Sequence, residues 1–177
     1  TDVVAKSPAD GYTLLVTYAG SQAVNQSLYA KLPFDSVKDF QPVATLAVTP
    51  FLLVVGPKTS VQDLKALIAA ARASPDAITY ASSGNGSVNH LLAEMLKTEA
   101  GINMTHVPYK GIAAAITDVI GGRVDAAFTS VPSVVQHVRG GKLRAIAVSS
   151  AKRNTAAPDV RSVAEQGFPG FDVNPWW

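Results

Sequence analysis

No cysteine occurs among the 177 residues, which excludes a disulfide, a thiolate nucleophile and a Cys-ligated zinc or iron–sulfur centre. Histidine is scarce, with only His90, His106 and His137, and their spacing matches no metal-ligand pattern. No cluster of His, Asp and Glu offers a second route to a metal, so neither a metal nor a cofactor is expected. No serine stands in a Gly-x-Ser-x-Gly frame, so the nucleophile-elbow signature is absent, and no Walker lysine pattern is present. The net charge of +2 is small, and the basic residues form no stripe and are not interleaved with aromatics. Nucleic acid is therefore not an expected partner. No apolar run reaches membrane-spanning length; the best, residues 43–55, is interrupted by Pro50. The first residues, Thr1-Asp2-Val3-Val4-Ala5, carry no leader pattern. The last, Asn174-Pro175-Trp176-Trp177, place two large aromatics at the terminus. The chain is expected to be a piece of a longer protein.

What is present is a composition 47% hydrophobic, ordinary for a folded domain. Asp10-Gly11 reads as a turn and Tyr12 to Thr17 as a strand. Val43 to Val55 reads as two strands, or as one bent at Thr49-Pro50. From Ser60 the pattern becomes regular. Ser60 can cap a helix with Leu64, Leu67, Ile68 and Ala71 on its apolar face and Asp63 in its first turn. Ile78 to Ala81 follows as a strand. The next helix carries Val88, Leu91, Leu92, Met95 and Leu96 on one side and ends at Gly101. Asn103 to Val107 is a strand, and Ile112 to Ile120 a helix closed by Gly121-Gly122. Val124 to Phe128, a helix from about Pro132 to Arg139, and Leu143 to Ser149 complete the series. Strands alternating with helices over short connections predict an α/β fold with parallel strands. After Ser150 prolines interrupt the pattern, and Ser162-x-x-Glu165 forms a capping box for one short helix. The expected organisation is a partial first lobe over 1–55, a second lobe of βα repeats over 56–150, and a connector over 151–177 that returns to the first lobe.

In an open α/β sheet, ligands bind beyond the carboxyl ends of the strands. Four loops fall there: Tyr18 to Asn25, Ser82 to Ser87, Pro108 to Gly111, and Thr129 to Ser133. All are rich in hydroxyls, amides or glycine, residues that also serve simply as caps and turns. The second is the most informative. Ser82-Ser83-Gly84-Asn85-Gly86-Ser87 joins a strand to a helix start, where exposed peptide N–H groups attract an anion. Glycine allows close approach to the backbone, and serine adds hydroxyl donors. No arginine falls in the four loops, and Lys110 is their one cation. An anion there would be held by N–H groups, hydroxyls and bridging water more than by a guanidinium clamp.

Three other readings compete. Gly84-x-Gly86-x-x-Asn89 approaches the dinucleotide fingerprint, but the third glycine is missing and the strand ending at Val107 carries no acid for a ribose. Ser82, Ser83 or Ser87 with His90 or His106 is a possible hydrolase pairing. His90 either donates to a ligand or finishes the helix start, and His106 inside a strand reads as structural. An effector-binding module of a transcriptional regulator would use the same fold class.

The motifs resemble the Bug or TctC family of periplasmic solute receptors of tripartite tricarboxylate transporters. They are Ser7-Pro8-Ala9-Asp10-Gly11-Tyr12-Thr13-Leu14, Lys38-Asp39-Phe40-x-Pro42-Val43, Tyr80-Ala81-Ser82-Ser83-Gly84-x-Gly86-Ser87-x-x-His90-Leu91 and His106-Val107-Pro108-Tyr109-Lys110-Gly111. Thr117-Asp118-x-x-Gly121-Gly122-Arg123-Val124-Asp125, Gly141-Lys142-Leu143-Arg144-Ala145 and Val163-Ala164-Glu165-x-Gly167-x-Pro169-Gly170 continue the match in order to the end of the chain. The resemblance implies a two-lobed protein of the type II periplasmic-binding-protein class with mostly parallel sheets, its first lobe incomplete here. It implies a non-enzymatic, monomeric, periplasmic receptor that holds a small organic anion between lobes and delivers it to the permease subunits of a membrane transporter. Carried onto this chain, the first-lobe contacts fall at Tyr18, Ala19, Gly20 and Ser21. Those of the second lobe fall at Ser82, Ser83, Gly84, Gly86, Ser87 and His90, with Tyr109, Thr129 and Ser130 nearby. Thr129-Ser130 stands where an Asp-Asn type pair is common in the family.

Overall fold

The computed structural model describes residues 1–177, which divide into two compact units: Thr1–Val48 with Pro175–Trp177, and Thr49–Asn174.

The smaller unit holds helix α1 (Asp2–Ala5), a π-helical turn (Gly20–Val24) and helix α2 (Asn25–Leu28). The expected strand from Tyr12 to Thr17 forms no ladder, and Tyr12, Leu14 and Val16 are exposed along it. Alternating apolar residues favour a strand only when a neighbouring strand supplies hydrogen-bond partners, and none is paired with this segment. Order comes instead from the chain end. Leu46 N–H donates to the Trp177 carbonyl at 2.7 Å, Trp177 N–H donates to Ala47 O at 2.9 Å, and Val48 bridges Trp176. The Tyr18 and Trp177 rings stack with centroids 6.2 Å apart.

The larger unit is an α/β sheet with helices. Its elements are β1 (Phe51–Val55), α3 (Leu64–Ala73), β2 (Thr79–Ser82), α4 (Val88–Ala100), β3 (Thr105–Pro108), α5 (Ile112–Gly121), β4 (Ala126–Ser130), α6 (Val131–Arg139) and β5 (Arg144–Val148). The strand order is β3-β2-β4-β1-β5. β2 runs parallel to both β3 and β4, as the βα spacing predicts. β1 does not follow that expectation: it lies antiparallel between β4 and β5, with Phe51 opposite Ser130 and Val55 opposite Ala126. The sheet is therefore mixed but mostly parallel. All five β1 residues are buried, which accounts for the unbroken apolar run Phe51-Leu52-Leu53-Val54-Val55.

Two boundaries differ from the expected organisation. β1, expected with the first lobe, is a central strand of the larger unit because its two partners lie there. The tail over 151–174 also belongs to this unit. Val173 N–H donates to Ser149 O at 2.8 Å, Val163 N–H donates to Val148 O at 3.0 Å, and Phe171 is buried. Only residues 175–177 return to the smaller unit.

Local signals explain the helix ends. Asp63, not Ser60, is the N-cap of α3; its carboxylate accepts the Ala66 N–H at 2.7 Å. Gly101 ends α4 and Gly122 ends α5, both in the left-handed conformation. The capping box is reciprocal: Ser162 N–H donates to Glu165 at 2.7 Å and Glu165 N–H donates to Ser162 Oγ at 2.9 Å. It opens a 3-10 turn, Ala164–Gln166, closed by Gly167. On one sheet face Leu52, Val54, Ala81, Ala127 and Val148 pack with Ala115, Ile116 and Val119 of α5 and Val131 and Val134 of α6. The core thereby fixes the carboxyl end of β2, from which the Ser82–Ser87 loop departs.

Candidate functional site

The loop from Ser82 to Ser87 is held by its own hydroxyls and by side chains of α4 and β3. Ser87 is the N-cap of α4. Its hydroxyl donates to Gly84 O at 2.7 Å, and its oxygen accepts the His90 N–H at 3.4 Å. Ser82 Oγ accepts the Gly84 N–H at 3.1 Å and lies 2.7 Å from His106 Nε2. The Gly86 N–H donates to His90 Nδ1 at 3.0 Å. Of the two roles considered for His90, the structure shows it closing the helix start. Gly84 (φ 123°) and Gly86 (φ 72°) occupy left-handed backbone that side chains disfavour.

Asn89, the second residue of α4, carries a role that sequence reading passes over. Its Nδ2 donates to Phe128 O in β4 at 2.7 Å, and its Oδ1 accepts from Ser83 Oγ at 2.6 Å. This one amide ties the loop to the strand that bears Thr129 and Ser130. A polar residue inside the first turn of an otherwise apolar helix face is the signal that could have marked it, since a buried amide demands partners.

The peptide N–H groups of Ser83, Asn85, Val88 and Asn89 have no acceptor within the chain, as expected where a helix begins. Peptide N–H groups left free at a helix start can bind an anion. The loop hydroxyls differ from expectation. Those of Ser82, Ser83 and Ser87 are all engaged inside the loop network, so donation to an anion falls to the amides.

The remaining residues are placed as follows. The Tyr109 N–H donates to Ser82 O at 3.0 Å, which sets the Pro108–Gly111 loop beside the Ser82–Ser87 loop. Its phenol instead donates to Asp118 at 2.6 Å; burial and then that carboxylate push the phenol up to about 12. Arg123 pairs with Asp118 and holds that carboxyl below its ordinary value. Thr129 is buried and its hydroxyl has no partner, while Ser130 and Ser133 hydroxyls lie 2.7 Å apart. In the smaller unit, Ala19 N–H donates to Trp176 O at 2.9 Å, and the amides of Ser21 and Gln22 both donate to Tyr18 O. Gly20 is buried against the folded-over Tyr18 ring.

His106 and Ser82 have the spacing of a base and a nucleophile, but the pair is unsuited to attack. Ser82 is 0% exposed, its oxygen already accepts a peptide N–H, and no carboxylate orients the imidazole.

Tyr80, His106 and His90 form a stack, with centroids 4.9 Å apart for the first pair and 4.1 Å for the second. Tyr80 donates to Glu94, which also accepts from Lys97 at 2.7 Å. Burial, followed by the neighbouring His90, holds His106 below its ordinary value. The folded state thus resists a proton that the unfolded chain accepts. Its contribution to stability is complete above about pH 6.5 and is lost progressively as pH falls from there through the lower folded-state value. Burial pushes Glu94 up, but the bonds from Lys97 and Tyr80 outweigh it, so Glu94 stays charged throughout this window. Urea unfolding at about pH 7.5 and about pH 5.5 is expected to show a lower midpoint at the lower pH, with a smaller drop in His106→Asn. An undiminished drop in that variant would remove His106 as its source.

Comparison with known proteins gives the family and the fold. The family model for the tripartite tricarboxylate transporter family receptor, TctC, matches residues 1–177. Protein BugT of Bordetella pertussis is 42% identical over 180 residues, covering 100% of this chain and 55% of that protein. A UPF0065 protein from the tcbD-tcbE intergenic region of Pseudomonas sp. strain P51 is 38% identical, covering 99% of this chain and 52% of its own length. The chain therefore spans about half the length of these curated relatives. Among solved structures, R. palustris Rpa4515 with adipate superposes with a TM-score of 0.90 at 36% identity, over 99% of this chain and 58% of that one. MatC from Rhodopseudomonas palustris with bound malate gives a TM-score of 0.86 at 31% identity, over 99% and 60%. The family model matches from the first residue to the last over a mixed, mostly parallel α/β sheet, and this chain belongs to the tripartite tricarboxylate transporter receptor family.

Proposed function

We propose that the protein is a non-enzymatic extracytoplasmic receptor that binds a small di- or tricarboxylate and delivers it, as a monomer in the periplasm, to the permease subunits of a membrane transporter. The observation that carries this reading is the group of unpartnered amides at Ser83, Asn85, Val88 and Asn89, held open by a fully internal hydrogen-bond network. Peptide N–H groups at a helix start bind an anion without altering it, and the serine–histidine pair beside them has a buried serine and no carboxylate to orient its imidazole. The carboxylates named with two solved relatives, adipate and malate, support the ligand class. Ser82, Ser83, Gly84, Gly86, Ser87 and His90 form the proposed binding loop and its support, with Tyr109, Thr129 and Ser130 flanking it. Tyr18, Ala19, Gly20 and Ser21 are the proposed contacts from the smaller unit.

Hydrogen bonds to a charged group contribute roughly 1.5–3 kcal/mol each. Several of them, set against the ordering cost of association, correspond to about micromolar affinity, or roughly −8 kcal/mol. Calorimetric titration of the full-length protein with di- and tricarboxylates is expected to give saturable binding in that range with no turnover. Failure of every carboxylate, with tight binding of a cation or a sugar instead, would defeat the reading.

A further inference from the structure

The direction of each hydrogen bond in the loop follows from a carbonyl that can only accept. Phe128 O takes a proton from Asn89, so the Asn89 nitrogen faces β4 and its oxygen faces Ser83. An amide oxygen cannot donate, so the short contact of 2.6 Å requires the Ser83 hydroxyl to give its proton to Asn89. Ser83 is then left with lone pairs alone for anything that approaches it. Asn89 is buried, so it cannot turn over without leaving the Phe128 carbonyl unpaired. The neighbouring hydroxyls do not replace the missing donor. Ser87 gives its proton to Gly84 O, and Ser82 is enclosed between Gly84 and His106.

We infer that Asn89 is a positioning residue that makes Ser83 an obligate acceptor, so that this site prefers carboxylates bearing a hydroxyl donor over their unhydroxylated analogues. The inference rests on the carboxylate-receptor reading above and adds a specificity to it. The amides of Ser83, Asn85, Val88 and Asn89 take the carboxylate. A hydroxyl on the adjacent carbon donates to Ser83 Oγ. A second carboxylate oxygen, an acceptor, would meet the Ser83 lone pairs and be disfavoured there.

The test is calorimetric titration of the full-length protein with matched pairs: malate and succinate, 2-hydroxyglutarate and glutarate, 2-hydroxyadipate and adipate, each hydroxy acid as both enantiomers. In the pair that binds, the hydroxylated member is expected to bind about tenfold tighter or more, the equivalent of one well-made hydrogen bond. Ser83→Ala is expected to bring the ratio near one by weakening the hydroxylated member alone. Asn89→Ala frees the Ser83 proton, and the unhydroxylated member should then bind more tightly than it does to the native protein. General damage to the fold does not produce that gain. If Asn89→Ala does not fold, Ser83→Ala decides the matter. Equal or reversed preference in every pair that binds, or a preference that survives Ser83→Ala, overturns the inference and leaves the receptor reading standing. Absence of binding by all six acids overturns the inference, and the further failure of every tricarboxylate brings down the receptor reading with it.

Discussion

Truncation of Phe128 to alanine is expected to lower the unfolding free energy by about 3–5 kcal/mol, read as a fall in the urea midpoint with little change in slope. Phe128 is fully buried in β4, opposite Leu53 of the antiparallel partner strand. Its ring stacks on that of Phe171 with centroids 6.3 Å apart. Removing it leaves a cavity that a paired central strand cannot collapse to fill, since each strand is held at fixed spacing by its ladder. The consequence reaches the ligand loop, because the Phe128 carbonyl receives the Asn89 amide. A loss below about 1 kcal/mol would mean that the site collapses freely and that the tail does not pack as described.

Gly56→Ala is expected to be nearly as damaging, at about 3 kcal/mol, the upper end of the usual cost of overpacking. A methyl group at this position would stand 2.3 Å from the carbonyl oxygen of Val119, near the end of α5. That obstacle is backbone and cannot swing aside. Relief requires β1 to part from α5, and the Gly56 N–H bond to Asp125 O at 3.0 Å opposes this movement. Gly101→Ala is a useful contrast. Its methyl group meets open space, so only the left-handed backbone penalty of about 1 kcal/mol is expected. Equal effects of the two substitutions in thermal or urea unfolding would show that steric contact at Gly56 is not the cause.

Short-range physics made much of this protein legible in its residues. Helices α3 to α6 follow the 3.6-residue apolar period and end where glycine or a cap says they should, because helix hydrogen bonds join residues four apart. Asp63 displaced Ser60 as the cap of α3 for an equally local reason: only Asp63 lies three residues before an orphan amide of that helix. The Ser82–Ser87 loop was recognisable as a strand-to-helix turn because a strand end, glycine and a helix cap adjoin in sequence. The motifs from Ser7 to Gly170 likewise pointed to the receptor family that the comparisons establish.

The tertiary structure alone decided what depends on partners far away in the chain. The run Phe51–Val55 is equally compatible with either lobe until its register against Ser130 and Val148 is known, and those partners lie far along the chain. The segment from Tyr12 to Thr17 carries a strand's alternation, yet a ladder needs a second strand, which a one-dimensional pattern cannot supply. The donor direction of the loop hydroxyls belongs to the same class. Serine in a sequence is both donor and acceptor, and only the fixed carbonyl of Phe128, acting through Asn89, determines which of the two Ser83 presents.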